Sequence, residues 1–232
     1  EGFANQPATT TDAAGKSTLL LPRAAPITLI CALKPSVGFD YTLFWLGNAA
    51  QVHSDPYHMA ADFQGPMAFV LNGARSVTVH AADQNGRPLA GADVQPWYLT
   101  KPRKGGFAGL SGMHEFSQLT DANGNATFAY IPVDNVGQID FWVTLDHYER
   151  KFWTYDPHGP TSIVAATPRR LVTVTGRVVD ERGRPVGGAA ISVGGDGTQL
   201  DNDFRATVQS QSNGTFSIDV NPEEYYMFLA RE

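Results

Sequence analysis

The chain has 232 residues, of which 42% are hydrophobic and 17% charged, and its 23 glycines and 15 prolines indicate many turns and few helices. This composition excludes a disordered chain, and the length fits two or three domains of about 100 residues or fewer. The net charge is -6, and the lysines and arginines form no basic cluster that could bind phosphate groups. Nucleic acid is therefore not an expected partner.

The first predicted elements are the late strands of an incomplete β-sandwich. Residues 11–19 contain half of a turn motif that recurs twice further along the chain. The strands that follow are predicted at 18–21, 27–33, 41–46 and 67–72. Cys31 lies in the second of these runs, where a free thiol behaves as a small buried hydrophobe. We predict that residues 1–71 form a partial first repeat.

Two later segments repeat the same turn chemistry. Residues 76–94 align with residues 172–191: in each, an alternating strand ends at an aspartate, Gly-Arg-Pro forms a turn, and Gly-Ala begins the next strand. Gly86 and Gly183 are predicted to take positive φ, and the proline after each turn fixes φ as the chain leaves it. These signals indicate hairpins or corners between strands.

Asn-Gly turns mark the second half of each repeat. Gly124 and Gly214 each follow an asparagine and precede an alternating strand, a pattern typical of β-hairpins. We predict a second β-sandwich at 72–165 and a third at 171–232, which has its early strands and is incomplete. The segment around Pro157 and Gly159 is the predicted linker.

These motifs resemble the carboxypeptidase regulatory-like modules of the transthyretin-like, or prealbumin-like, group. The resemblance implies an all-β fold of tandem Greek-key β-sandwiches of transthyretin-like and Ig-like type. It also implies modules that stand in tandem on secreted or membrane-anchored bacterial proteins, at the cell surface or in the periplasm. The related hydrolases of purine degradation end in Tyr-Arg-Gly-Ser, whereas residues 228–232 differ from that tail, which disfavours an enzyme.

Two loops have residues that could bind a metal ion. A zinc site is conceivable in the loop with His53 and His58, but the segment lacks the helical His-Glu-x-x-His pattern. Calcium is conceivable at Asp196, Asp201 and Asp203 if that loop folds back on itself. No triad or phosphate-binding loop is recognisable. We therefore predict no catalytic, cofactor-binding or metal-binding residue, with calcium at the three aspartates as the alternative.

Aromatic side chains are the strongest indication of a binding site. The candidates are Trp97, Tyr98, Trp142, Trp153 and Tyr155. Alternation along strands would place some of these rings outside, where they could stack on sugars or anchor a protein partner. Packing in the core or between modules is the competing explanation for the same residues.

The sequence predicts a non-catalytic fragment of a larger bacterial surface or periplasmic protein that serves as a spacer, assembly or interaction module. The start at Glu1, without an initiator methionine, indicates a piece of something longer. Neighbouring domains of the parent protein are the expected partners. The alternatives are a carbohydrate-binding accessory module of a secreted hydrolase and a homo-oligomeric extracellular fibre formed by strand complementation. No apolar run approaches the roughly 20 residues that span a bilayer.

Overall fold

The computed structural model describes residues 8–20, 29–44, 66–110, 112–159, 163–195, 206–222 and 226–231. These residues form strands and a single 3-10 turn, without an α-helix, so the predicted all-β class is confirmed. The strands are β1 (Leu29–Lys34), β2 (Gly38–Leu43), β3 (Ala74–Ala81), β4 (Asp93–Trp97), β5 (Gln118–Leu119), β6 (Asn125–Pro132), β7 (Ile139–Thr144), β8 (Lys151–Tyr155), β9 (Ile163–Ala166), β10 (Val172–Arg177), β11 (Ala190–Gly195), β12 (Ala206–Gln209), β13 (Thr215–Val220) and β14 (Tyr226–Arg231). Within this part of the chain, no helix has the length and hydrophobicity needed to cross a membrane.

The second sandwich consists of two sheets with the strand orders β5-β4-β7-β8 and β6-β3-β9. Alternating residues of both sheets point inward, and Val79, Val94, Phe128 and Phe141 are fully buried between them. The strands pair antiparallel except for β9, which adds to β3 in parallel. An entirely antiparallel sandwich was predicted, and this parallel pair is a correction, because turn motifs do not specify where a distant strand joins a sheet.

The third sandwich repeats most of this arrangement. β10 pairs with β13 as β3 pairs with β6, and the order β12-β11-β14 corresponds to β5-β4-β7. Its buried centre is small and contains Val193, Ile218 and Val220. Among the described residues, no strand occupies the positions that β8 and β9 take in the second sandwich.

The β1–β2 hairpin packs against the second sandwich. Phe39 and Tyr41 are fully buried in the same core as β3, β6 and β7. The backbone N–H of Ser36 donates to the carbonyl of Ala129 at 2.7 Å, which fixes the hairpin tip on β6. Residues 29–43 of the predicted first repeat therefore complete the core of the following one, and the boundary at residue 72 stays a prediction.

Two predicted strands in this region are absent from the described residues. Residues 18–20 and 67–73 run without strand pairing, although strands were predicted at 18–21 and 67–72. In the segment 67–73, the backbone N–H of Val70 donates to the Asp40 carboxylate at 2.7 Å and not to the carbonyl of a neighbouring strand. A buried side chain thus replaces the backbone partner that the apolar sequence suggested.

Four glycine turns carry the chain from one sheet to the other. Gly86, Gly124, Gly183 and Gly214 have φ between +75° and +78°, which confirms the predicted positive φ. Each turn joins strands that belong to different sheets, so the Asn-Gly turns are corners and the prediction of hairpins was wrong. Asn-Gly fixes the local backbone conformation but not the partner of the strand that follows.

Candidate functional site

An aromatic face covers the outer side of the β5-β4-β7-β8 sheet. It consists of Trp97, Tyr98, Phe107, Trp142 and Phe152, each partly or well exposed. Trp97 ends β4, and Trp142 and Phe152 lie opposite each other on β7 and β8. Since Phe141 and Val143 on either side of Trp142 point into the core, period-2 alternation directs Trp142 outward. Trp97 likewise follows the buried Pro96 on β4.

The rings of this aromatic face contact one another. The centroids of Trp97 and Trp142 are 5.9 Å apart, and those of Trp142 and Phe152 are 5.4 Å apart. Tyr98 and Phe107 stack at 4.3 Å with an interplanar angle of 20°. The guanidinium of Arg150 lies 4.8 Å from the Trp142 ring, a distance that allows a cation–π contact. The face is thus a preformed surface with one cation at its edge.

The loop after β4 is shaped to present this face. Tyr98 has φ of 69°, a conformation that costs roughly 1–2 kcal/mol for a residue with a side chain. Paired hydrogen bonds between Leu99 and Ala108, of 3.1 and 2.7 Å, hold the loop in place beside it. A Cβ on Gly109 would approach the Trp97 ring to 3.0 Å, so glycine allows the tryptophan to lie close over the backbone.

The structure brings together three of the five predicted aromatic residues. Trp97, Tyr98 and Trp142 belong to the aromatic face, whereas Tyr155 is buried in the core and Trp153 packs against it. Trp153 and Tyr155 point inward because they alternate with Phe152 along β8. Phe107, which lies in the Gly-rich loop, was not predicted. A single aromatic residue in such a loop gives no periodic signal from which its position could be found.

A second cluster lies under the β1–β2 hairpin and surrounds the buried side chain of Lys101. Lys101 Nζ donates to Asn72 Oδ1 at 2.6 Å and to the carbonyls of Phe39 and Val70 at 3.0 and 3.1 Å. Nζ also lies 3.8 Å from a carboxylate oxygen of both Asp40 and Asp134. Nothing in the loop sequence shows that a hairpin covers Lys101.

The residues predicted for the two metal loops are not among those that the structure describes. Asp196, Asp201 and Asp203 lie outside the described residues, as do His53 and His58. Among the residues that the structure describes, no group of three or more histidines, cysteines or acidic residues is arranged to hold a metal ion. Calcium at the three aspartates stays a prediction.

Cys31 is the described thiol, and its environment opposes ionisation. Burial, followed by the nearby charge of Glu115, raises the pKa of Cys31 to about 12. A thiol is nucleophilic as the thiolate, so this side chain is protonated and unreactive at neutral pH. Its role is to pack beside the core, as predicted from the apolar run around it.

Comparison with known families identifies one segment. The family model of the carboxypeptidase regulatory-like domain matches residues 173–231, which confirms the predicted resemblance for the third sandwich. No curated protein matches the chain.

Several solved structures are similar to the chain at low identity. A streptococcal ancillary pilin is 16% identical with a TM-score of 0.35, and the match covers 75% of this chain and 65% of the pilin. The shaft pilin SpaA from Lactobacillus rhamnosus GG is 13% identical with a TM-score of 0.30, covering 68% of this chain and 87% of the pilin. A C-terminal fragment of the pilus adhesin SpaC from the same organism is 8% identical with a TM-score of 0.26, covering 69% and 76%. The chain thus spans just under two thirds of the streptococcal pilin's length.

Proposed function

We propose that the chain is a non-catalytic spacer and interaction module of a larger extracytoplasmic bacterial protein, in which successive β-sandwiches are held in a fixed relative orientation. The observation that carries this proposal is the junction between the second and third sandwiches. A flexible linker would leave the two domains free to reorient, whereas the linker between β9 and β10, residues 167–171, is hydrogen-bonded to the domain that precedes it.

Backbone pairing fixes the linker on the second sandwich. The N–H of Leu171 donates to the carbonyl of His147 at 2.8 Å, and the N–H of Glu149 donates to the carbonyl of Arg169 at 2.9 Å. The Glu149 carboxylate accepts a further hydrogen bond from the N–H of Arg169 at 3.0 Å. Leu171 itself is buried, so the residue that begins the third sandwich is anchored by packing as well.

A side-chain contact joins the two sandwiches directly. His147 Nδ1 lies 2.7 Å from Asp219 Oδ2 on β13, and Thr173 on β10 donates to the other oxygen of the same carboxylate at 2.7 Å. The Asp219 carboxylate therefore connects the β7–β8 turn of one module to two strands of the next. Such a junction suits a protein that must keep its modules in line.

Nuclear spin relaxation of the two sandwiches tests the spacer proposal. We expect backbone amides of β3 and β10 to report the same rotational correlation time in the unmodified chain. A short Gly-Ser insertion after Thr167 is the matched control and should give two shorter, different correlation times. Independent tumbling of the sandwiches in the unmodified chain would refute the proposal.

Carbohydrate binding at the aromatic face is a second candidate function. The stacked rings of Tyr98 and Phe107 offer a flat apolar surface, and Tyr98 is 37% exposed. Glycan-array binding, followed by titration calorimetry of any hit, tests this candidate. Tyr98→Ala should abolish the binding, whereas Leu119→Ser, at an exposed site outside the aromatic face, should not. Binding that survives Tyr98→Ala would exclude the aromatic face as the carbohydrate site.

Assembly by strand addition is supported by the edge of β10. In the second sandwich β9 covers the equivalent edge of β3, whereas no strand of the described residues pairs with β10 on the side opposite β13. Most side chains of β10 are exposed, and an uncovered edge is a template for a further strand. Multi-angle light scattering tests self-assembly: a mass that rises with concentration supports it, and a strictly monomeric chain excludes it.

A further inference from the structure

A lysine is buried against the carboxamide of an asparagine beneath the β1–β2 hairpin. The Lys101 side chain is 5% exposed, and its Nζ lies 2.6 Å from Asn72 Oδ1. Because Oδ1 is bonded to Cγ, a small rotation of the carboxamide would bring the carbonyl carbon to the amine. A buried lysine amine and a carboxamide held in contact with it are the two reactants of an amide exchange.

One carboxylate oxygen contacts both nitrogen atoms that such an exchange would involve. Asp134 Oδ2 accepts a hydrogen bond from Asn72 Nδ2 at 2.8 Å and lies 3.8 Å from Lys101 Nζ. It can therefore take a proton from the attacking amine and pass it to the departing nitrogen, which is the work of a general acid–base catalyst. The other oxygen of Asp134 is buried and accepts no hydrogen bond from the described residues.

The second acidic residue of the cluster has a different task. Asp40 Oδ1 accepts from the N–H of Tyr41 at 2.9 Å and lies 3.1 Å from Lys104 Nζ, while Oδ2 accepts from the N–H of Val70 at 2.7 Å. Both oxygens of Asp40 are thus engaged in holding the hairpin and the segment before β3. Asp40 Oδ1 also lies 3.8 Å from Lys101 Nζ, and Asp134 is the carboxylate that in addition accepts from Asn72 Nδ2.

We propose that Lys101 and Asn72 form an intramolecular isopeptide bond with Asp134 as the proton shuttle. Lys101 Nζ attacks Asn72 Cγ as the free amine, after a proton has passed to the Asp134 carboxylate. The new Nζ–Cγ bond forms, Nζ gives up its second proton, and the Cγ–Nδ2 bond breaks. The departing nitrogen takes up both protons by way of Asp134 and leaves as ammonium, so Asp134 ends as a carboxylate. No oxidant, reductant or cofactor is needed, since one amide replaces another.

The bond would tie the two sheets of the second sandwich together. Asn72 lies just before β3 in one sheet, and Lys101 follows β4 in the other. The hairpin above the cluster shields the amine from water, because Phe39 and Tyr41 are fully buried there and Lys101 is 5% exposed, while Asn72 lies at the exposed edge of the cluster. The chemistry stands independently of the proposed spacer function.

Peptide mapping by mass spectrometry tests the proposal on the whole chain. We expect the intact mass to be lower than the sequence mass by one ammonia molecule, and a branched peptide that joins the segments around residues 72 and 101. Recovery of both segments only as linear, unmodified peptides would overturn the proposal. In that case Lys101 is the buried ammonium of an ion-pair network.

The branched peptide is the decisive readout, because Asn-Gly sequences also lose ammonia by cyclising on their own backbone. Asn72 precedes Gly73, whose N–H donates to the carbonyl of Val37 at 2.9 Å and is engaged there. A mass loss in which Lys101 remains in a linear peptide would therefore also overturn the proposal.

Two matched lysine variants separate the proposed nucleophile from its neighbour. Lys101→Arg should remove the cross-link completely, whereas Lys104→Arg, which keeps a positive charge beside Asp40, should retain it. Asp134→Asn should leave both reactants in place and slow the reaction, so that most of the protein keeps its full mass. Circular dichroism establishes that each variant folds. A cross-link that persists in Lys101→Arg, or disappears in a folded Lys104→Arg, would contradict the assignment.

Discussion

Corner glycines of the two sandwiches occupy equivalent and crowded positions. A Cβ on Gly124 would lie 2.3 Å from the carbonyl oxygen of Ala81, and one on Gly214 would lie 2.4 Å from that of Val178. A hydroxyl four residues earlier braces each corner: Thr120 donates to the carbonyl of Leu89, and Ser210 donates to that of Val186. The same stereochemistry thus fixes the same corner twice.

Alanine substitutions in the second sandwich should separate two reasons for glycine at a corner: the positive φ and the lack of space for a Cβ. Gly124 and Gly86 have the same φ of +77°, but a Cβ on Gly86 would meet nothing within 4 Å. Gly86→Ala should destabilise the domain by about 1 kcal/mol through backbone strain. Gly124→Ala should cost about 2–4 kcal/mol, because a backbone clash adds to that strain. Urea denaturation measures both, and equal costs would contradict the predicted crowding.

The thiol of Cys31 should be inert in the native protein. With a pKa of about 12, it stays protonated at neutral pH, and the thiolate that attacks thiol reagents is scarce. We expect a chromogenic disulfide reagent to label Cys31 slowly in the native state and rapidly in urea. If the native protein were labelled as fast as the unfolded protein, the thiol would not be buried and its pKa would not be raised.

At the scale of elements, local features were predictable and distant contacts were not. The positive φ of Gly86 and Gly214 follows from turn chemistry within a few residues. The parallel addition of β9 to β3 and the docking of the β1–β2 hairpin depend on partners far along the chain. Neither the apolar run around Cys31 nor its alternation specifies which core it joins.

The β1–β2 hairpin should be part of the folding unit of the second sandwich. Phe39 is fully buried, and its ring lies 6.3 Å from Tyr130 and 6.5 Å from Phe116 by centroid. Phe39→Ala should destabilise the whole sandwich by about 3–5 kcal/mol through the cavity it leaves.

The exposed tip of the same hairpin offers a control for Phe39→Ala. Val37 is 38% exposed, and Val37→Ala should change stability by no more than about 0.5 kcal/mol. Denaturant unfolding combined with hydrogen exchange of β6 amides measures both effects. Unchanged protection of β6 in Phe39→Ala would show that the hairpin is an independent unit.

At the scale of the whole molecule, the sequence located the candidate surface but not its composition. Trp97 and Trp142 could be predicted as outward-facing because they alternate with buried neighbours on strands. Trp153 was also a candidate, but it packs against the core, because one-residue differences in phase decide the face of a strand. Lys101 was missed altogether, since its burial depends on a hairpin that begins far earlier in the chain.

The junction between the sandwiches should weaken in acid through Asp219. The hydrogen bond from Thr173, followed by the contact with His147, lowers the pKa of Asp219 below its ordinary value of 3.8. A carboxylate with a lowered native pKa contributes stability above its unfolded pKa, and this contribution is lost as the pH falls through the native value. Because both side chains of the pair are partly exposed, we expect the contribution to be below about 1 kcal/mol.

Asp219→Asn tests this pH dependence at the junction itself. In the unmodified chain, the amide resonances of Glu149 and Leu171 should shift as the pH falls through the lowered pKa of Asp219, where the carboxylate takes up a proton. In Asp219→Asn the junction should be weaker at neutral pH, and this acid transition should be missing, because the titrating group is gone. Asp121→Asn is the control, since the Asp121 carboxylate accepts from the backbone N–H groups of Asn123 and Asn125 at an exposed corner of the second sandwich. An acid transition at Leu171 that persists unchanged in Asp219→Asn would assign the pH dependence to another group.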